Sequence, residues 1–338
     1  MESQNLKNTY NIAGNFSLTI RLVVGWTYFS AFWRRLILAD KLNPEEAGYI
    51  GEKFNHFLPN ALGIKPMIEY LVSNPDILWI SMYSFTIIEA IVGLFIMLGL
   101  FTRLMSVGVL LLAMGILLGA GWIGTTCLDE WQIGVLGVAA GLSLFFTGGG
   151  DFSLDKYLEN KSFNFTQQKW FSFLGSGVLP LKNIKTLVLI SAISVFSLTL
   201  FTNQYFHGGV LGTLHNKSVK PKIEISNVEM ANSKLKFQVY RVEGVDVYGS
   251  FLIKITLKDD EGNIIFEKNG EDLSKFKTEN IFNHYVAKVK PGAHSMIIPL
   301  GSKADIQIDL TDINIDNNKM YQLILTDISG INWKVDVK

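Results

Sequence analysis

The 338-residue chain contains one cysteine, Cys127. An intrachain disulfide, a CxxC metal site and a dithiol couple are therefore excluded. Its five histidines, His56, His207, His215, His284 and His294, show neither HxxxH nor HxxE spacing, and no CxxCH occurs. No metal, flavin or covalently attached haem is expected. Charge is scarce as well, at 18% of residues against roughly 25% in an average soluble domain. Basic and acidic residues balance at 30 each, so there is no cationic excess for a nucleic-acid backbone.

More than half of the charged residues fall in residues 221–338. The depleted remainder contains runs long enough to span a bilayer, which takes about 20 apolar residues at a hydrocarbon thickness of ~30 Å. Five spans are predicted: Asn15–Trp33, Ile77–Phe101, Leu104–Gly124, Trp131–Phe146 and Ile184–Phe206. Residues 1–14 are polar and lack a basic signal-peptide start, so the first span is expected to stay as an anchor. The predicted fold is a four-helix membrane bundle with a fifth anchor helix, followed by an all-β antiparallel sandwich. The expected divisions are 1–160, an interfacial linker at 161–183, the fifth helix at 184–206, and the sandwich at 220–338. Nine short alternating segments between Lys222 and Val337, Tyr285–Lys290 among them, are separated by turns such as Asn269-Gly270 and Pro291-Gly292. They carry the sandwich assignment.

Orientation follows from lysine and arginine near the membrane. With the N-terminus inside, the inner side holds Lys7, Arg103, Lys156, Lys161, Lys169, Lys182 and Lys185, and the outer side Arg34, Arg35, Lys41, Lys53 and Lys65. This asymmetry puts the protein in the cytoplasmic (inner) membrane with its C-terminal domain extracytoplasmic. Residues 164–177 mix aromatic and polar groups and read equally as an interfacial helix or an ordinary loop.

Polar groups within spans are costly and mark function by default. Arg21 and Glu89 lie in the first and second spans, where they could approach each other, either as a register-fixing ion pair or as a proton relay or quinone headgroup contact. Trp33-Arg34-Arg35 closes the first helix, as a headgroup anchor or an oxyanion site. The long loop that follows, through Asn55-His56-Phe57-Leu58-Pro59-Asn60, is expected to pack over the site. In the run Gly119 to Trp131, Trp122 and Trp131 suit the membrane interface, and Asp129 and Glu130 complement a helix start. Cys127 is either a small buried residue or a thiol activated near that helix start. The run Gly148-Gly149-Gly150 stands in neither GxxxxGK[ST] nor GxGxxG.

The order Arg21…Gly25-Trp26, Trp33-Arg34-Arg35, Phe54…Phe57-Leu58-Pro59, Glu89-Ala90…Gly93, Gly99-Leu100…Thr102-Arg103, Gly121-Trp122…Cys127-Leu128-Asp129-Glu130-Trp131-Gln132 and Gly148-Gly149-Gly150…Ser153-Leu154-Asp155 resembles the DoxD subunit of thiosulfate:quinone oxidoreductase. DoxD is one of the DoxX-like membrane proteins, and the likeness covers about residues 15–160, most specifically at Trp122–Gln132. From the fifth helix onward the chain looks like DoxA, by architecture and order. The resemblance implies oxidation of thiosulfate to tetrathionate with transfer of electrons to a non-covalently bound quinone. On that reading Cys127 is a covalent relay, with Asp129 and Glu130 handling its proton. Arg34, Arg35, Trp33, His56 and Trp131 would bind thiosulfate, and Arg21, Glu89, Arg103 and Trp122 the quinone. The expected partners are thiosulfate, quinone and the lipid bilayer, with homo-oligomerisation left open. Two other readings stay open: a DoxX-like quinone-linked enzyme for another reduced sulfur compound, and a membrane scaffold that recruits a redox partner.

Overall fold

The computed structural model describes residues 2–46, 48–124, 129–245, 250–316 and 319–337. Cys127, with Thr125, Thr126 and Leu128, lies outside the described residues. The chain divides into a helical unit (residues 1–50, 79–121 and 128–215) and a second unit (51–78, 122–127 and 216–338).

The helical unit begins with α1 (Glu2–Phe16) and α2 (Leu18–Phe32), the latter continued by a π-helical turn, Trp33–Ile37. In the second unit follow two short helices, α3 (Gly51–Phe57) and α4 (Lys65–Ser73). Among the described residues, four helices are long and apolar enough to cross a membrane: α5 (Pro75–Leu98), α6 (Thr102–Ala120), α7 (Asp129–Thr147) and, after the short α8 (Leu154–Asn160) and α9 (Lys169–Leu174), α10 (Ile184–His207). They match the second to fifth expected spans to within a few residues. The first expected span, Asn15–Trp33, appears instead as a helix broken at Ser17 and prolonged to Ile37.

The bundle core joins Tyr28, Val92, Ile96, Val109, Leu112 and Leu144. Glycine lets the helices close on one another. A Cβ at Gly93 would stand 2.5 Å from the Phe29 nitrogen, and one at Gly141 2.8 Å from the Leu110 nitrogen. Small residues serve this role between membrane helices, where van der Waals packing replaces hydrophobic segregation.

The N-terminal helix is tied to the connection between α7 and α10. Asn15 Nδ2 donates to Asp151 Oδ2 and Asn15 Oδ1 accepts from the Asp151 amide, both at 2.8 Å. Lys7 reaches Glu159 at 3.4 Å. Burial pushes the Glu159 carboxyl upward, but the Lys156 and Lys7 ammonium groups outweigh it and hold the carboxyl below its usual range.

The described residues of the second unit form ten strands: β1 (Lys222–Ala231), β2 (Lys234–Glu243), β3 (Ser250–Asp259), β4 (Ile264–Asn269), β5 (Ile281–Asn283), β6 (Lys290–Pro291), β7 (Met296–Ile298), β8 (Lys303–Asp309), β9 (Tyr321–Asp327) and β10 (Asn332–Val337). They form two antiparallel sheets, in the orders β1-β2-β8-β5 and β10-β9-β3-β7-β6, with β4 also paired to β3. Inward residues of both sheets, Leu235, Phe237, Ile306 and Ile308 from one and Leu252, Leu257, Leu323 and Leu325 from the other, fill a common core. The β1–β2 hairpin turns on Asn232 and Ser233, both at positive φ, as a two-residue turn of matching twist requires.

The expected strand Tyr285–Lys290 does not form. Residues 284–289 leave the sheet to meet residues 51–78, most of which belong to the long loop expected to pack over the site. Val286 N donates to Val72 O at 3.2 Å, and the Tyr285 hydroxyl to Glu69 at 2.7 Å. Asn55, fully buried, donates to Gly301 O and accepts from Ala287 N. Leu58, Ile68 and Val72 share a cluster with Tyr285, so α3 and α4 are built into the β unit.

Two outcomes are expected. Asn55→Ala leaves buried backbone groups without partners and should lower the stability of the β unit by about 1–3 kcal/mol, read from thermal unfolding in detergent. Burial, reinforced by the Tyr285–Glu69 bond, pushes the Tyr240 and Tyr285 phenols above their usual value. The native state thus holds these protons more tightly than the unfolded chain. The stability this gives is complete below about pH 10 and is lost as pH rises through the raised native values. Tyrosinate absorbance should show late-titrating phenols in the folded protein that titrate normally in denaturant, and Tyr240→Phe and Tyr285→Phe should each remove one of them.

Candidate functional site

Arg21, Tyr28 and Arg35 recur every seven residues, two helical turns, on one face of the first helix. That places the two arginines about 21 Å apart along it, and the structure gives them separate partners. Arg35, carried on the π-helical turn, forms an ion pair with Glu89 in the middle of α5. The Glu89 side chain is 4% exposed and that of Arg35 23%. Tyr28, also buried, lies near enough to interact with the Glu89 charge, and Thr86, one turn before Glu89 on α5, is buried too. A single π turn shifts side-chain direction within a helix and recurs at functional sites.

Arg21 does not meet Glu89, contrary to the sequence expectation. Its guanidinium donates to the carbonyls of Gly149 and Phe152, beyond the C-terminus of α7. Arg103 donates to Phe145 O and, across the α9 region, to Ser172 O, Phe173 O and Gly177 O. The reason is shared. Helix ends leave carbonyls without partners, and a guanidinium with five N–H donors can satisfy several at once.

Asp155 completes this polar cluster. It is 2% exposed and accepts from Phe101 N (2.7 Å), Thr102 N (3.0 Å), Thr102 Oγ1 (2.8 Å) and Ser176 Oγ (2.7 Å). The α5–α6 hairpin turns through Phe101 at positive φ, which provides no capping side chain of its own. Asp155 supplies the N-cap of α6 from a distance, and its own amide returns a bond to Gly99 O at 3.0 Å. A cavity of about 40 Å³ lies beside it, lined by Asn11, Lys156, Glu159, Thr166 and Ser176 among others.

The remaining expected site residues are divided between the two units. Trp33 and Arg34 are exposed, with Arg34 Nε donating to Ser30 O one turn back. Asp129 is exposed and Glu130 half-buried in the first turn of α7. Trp131 Nε1 donates to Thr202 Oγ1 at 3.0 Å, tying α7 to α10. Trp122 is not an interfacial residue. It is 1% exposed within the β unit, where its indole donates to Phe57 O, and His56 is buried there on α3. Gly124 is held in the same unit by Ser218 and Asn216.

Sequence reasoning missed His207, Asp155 and Ser176. His207 is fully buried at the end of α10 with Nε2 2.9 Å from Gly121 O. A carbonyl only accepts, so that nitrogen carries the proton. Its spacing from the other histidines fits no metal motif, so residue identity carries no signal for it. The need of α6 for a cap, with Phe101 before it, was the available signal for Asp155.

These features define a multi-pass membrane protein with a charged pair inside its helical bundle and an antiparallel β unit at its C-terminus. Residues 16–182 match the family described as TQO small subunit DoxD, and residues 206–336 the family described as TQO small subunit DoxA. The chain belongs to these two families, which it carries in tandem. Membership gives it an oxidoreductase role of the thiosulfate:quinone oxidoreductase type.

Removing one member of the Arg35–Glu89 pair should cost more than removing both. Glu89→Ala strands a cation in the bilayer and is expected to destabilise by about 3 kcal/mol, whereas Arg35→Met combined with Glu89→Leu should recover most of that loss. Melting temperatures in detergent decide it. Equal losses in the single and double variants would refute the coupling.

Proposed function

We propose that this protein oxidises thiosulfate to tetrathionate and delivers the electrons to a membrane quinone. The tandem of two TQO small-subunit families in one chain carries the reading. Two thiosulfate dianions lose one electron each as the central S–S bond forms, and the quinone takes up both electrons with two protons. That chemistry needs an anion-attracting group near the bilayer surface and a protonatable group within it.

The exposed Arg34 at the end of the first helix suits the dianion. Glu89, in mid-span and paired with Arg35, suits proton delivery to a quinone that enters from the lipid. Arg35 would hold the carboxylate in place between turnovers. Arg21 and Arg103, engaged with backbone carbonyls, would serve to position the helices around such a site.

Cys127 is the proposed relay. Its thiolate and one thiosulfate combine into a cysteine S-thiosulfonate as two electrons leave to the quinone. A second thiosulfate attacks the outer sulfur of that adduct, forms tetrathionate and expels the thiolate. The balance closes with thiosulfate, quinone and Cys127. The β unit is proposed to lie on the extracytoplasmic side of the inner membrane, in keeping with the distribution of lysine and arginine.

The test is anaerobic quinone reduction by the purified protein, with tetrathionate quantified in the same sample. Quinol and tetrathionate should appear in equal amounts. Glu89→Gln, which cannot exchange a proton, should lower kcat by about 100-fold or more, and Cys127→Ser should abolish turnover. Full turnover in Cys127→Ser would sink the relay alone. Reduction by sulfide or sulfite but not thiosulfate would overturn the substrate, and no reduction by any donor in folded protein would leave a scaffold.

A further inference from the structure

Beyond the carbonyls that hold Arg21 and Arg103, the connection between α7 and α10 has no role in the reaction proposed above. Because its ends are the ends of two membrane spans, it lies at a bilayer surface. It is firmly built. Phe171 is 4% exposed and packs edge-on against Phe101, Phe165 and Trp170. Arg103 grips the carbonyls of Ser172, Phe173 and Gly177 that end α9.

What this frame presents outward is aromatic and cationic. Trp170, Phe173, Phe163, Phe165 and Tyr157 are each at least 40% exposed. Such rings at the end of a membrane span match the depth of the headgroup region, where one side of a ring is apolar and the other wet. Around them Lys161, Lys169, Lys182 and Lys185 are all exposed, and among the described residues none of the four forms an ion pair. Lys161 Nζ lies 5.6 Å above the Tyr157 ring.

The nearby acids are already engaged. Asp155 caps α6, Asp151 is bonded to Asn15, and Glu159 is held by Lys7 and Lys156. The charge that this surface offers to solvent is therefore positive. We propose that residues 148–185 form a binding surface for anionic phospholipid headgroups, with the aromatic rings seated among the upper acyl chains and the four lysines on the phosphates. Complementary charge and direct continuity with the two spans identify the occupant. A lysine at an anionic surface changes partitioning by up to about fivefold, so the four together select anionic over zwitterionic lipid.

The test uses the full chain in nanodiscs that contain equal mole fractions of phosphatidylglycerol and phosphatidylcholine, with bromine on the acyl chains of one or the other. The contribution of Trp170 is isolated as the difference from Trp170→Phe. Quenching should be several-fold stronger when the phosphatidylglycerol is brominated, and the preference should fade in high salt. Replacing Lys161, Lys169, Lys182 and Lys185 together by glutamine should equalise the two lipids while quenching itself persists, because the rings still reach the membrane. Equal quenching by both lipids in the unaltered protein would overturn the proposal, as would no quenching of Trp170 by either. Circular dichroism and monodispersity of the variants separate loss of preference from loss of fold.

Discussion

A guanidinium removed from water must find acceptors within the protein, and in this chain the bundle is arranged around that demand. Arg21 and Arg103, both nearly fully buried, take their acceptors from backbone carbonyls at helix ends. Two liabilities cancel, since orphan carbonyls need donors and buried cations need acceptors. Asp155 does the converse for the amides that begin α6. Those three side chains fix where the α5–α6 hairpin, the end of α7 and α9 stand relative to one another. The same polar cluster thus anchors the surface that bears Trp170 and Phe173.

The Arg35–Glu89 pair answers to a different logic. Its partners are two side chains, so one protonation event is enough to change its charge, whereas a guanidinium satisfied by carbonyls has no such alternative state. Buried ion pairs are weak evidence for stability, because hydrophobic replacements of similar volume often serve as well. A pair kept inside the bundle at that expense, on a π-helical turn and near the buried Tyr28 and Thr86, is what the proposed proton chemistry would require.

What the sequence made legible follows from which signals are local. The spans show as apolar runs, and the sandwich as alternation with turn residues between. Family-specific residues such as those around Trp122 and Glu130 could be read in order. Acceptors on the backbone leave no trace in residue identity, which is why the sequence suggests Glu89 for Arg21 and not the carbonyls of Gly149 and Phe152. The heptad spacing of Arg21, Tyr28 and Arg35 was there to be seen and would have set the two arginines two turns either side of the tyrosine. Residues 51–78 look like a connector because their partners, Gly301, Ala287 and Tyr285, are more than 200 residues away. The lost strand at Tyr285–Lys290 and the burial of Trp122 have the same origin, since contacts of high sequence separation override local pattern.

α2 alone has 15 residues and would cover only about 22 Å, short of the ~30 Å that a hydrocarbon core demands. The π-helical turn supplies the missing length, since Leu18–Ile37 is 20 residues. An unbroken α-helix of ordinary pitch would turn side chains near its end by about 100° per residue, and a single wider turn changes that direction locally. The turn that brings the first helix to the length of a span is thus the one that carries Arg35 to Glu89.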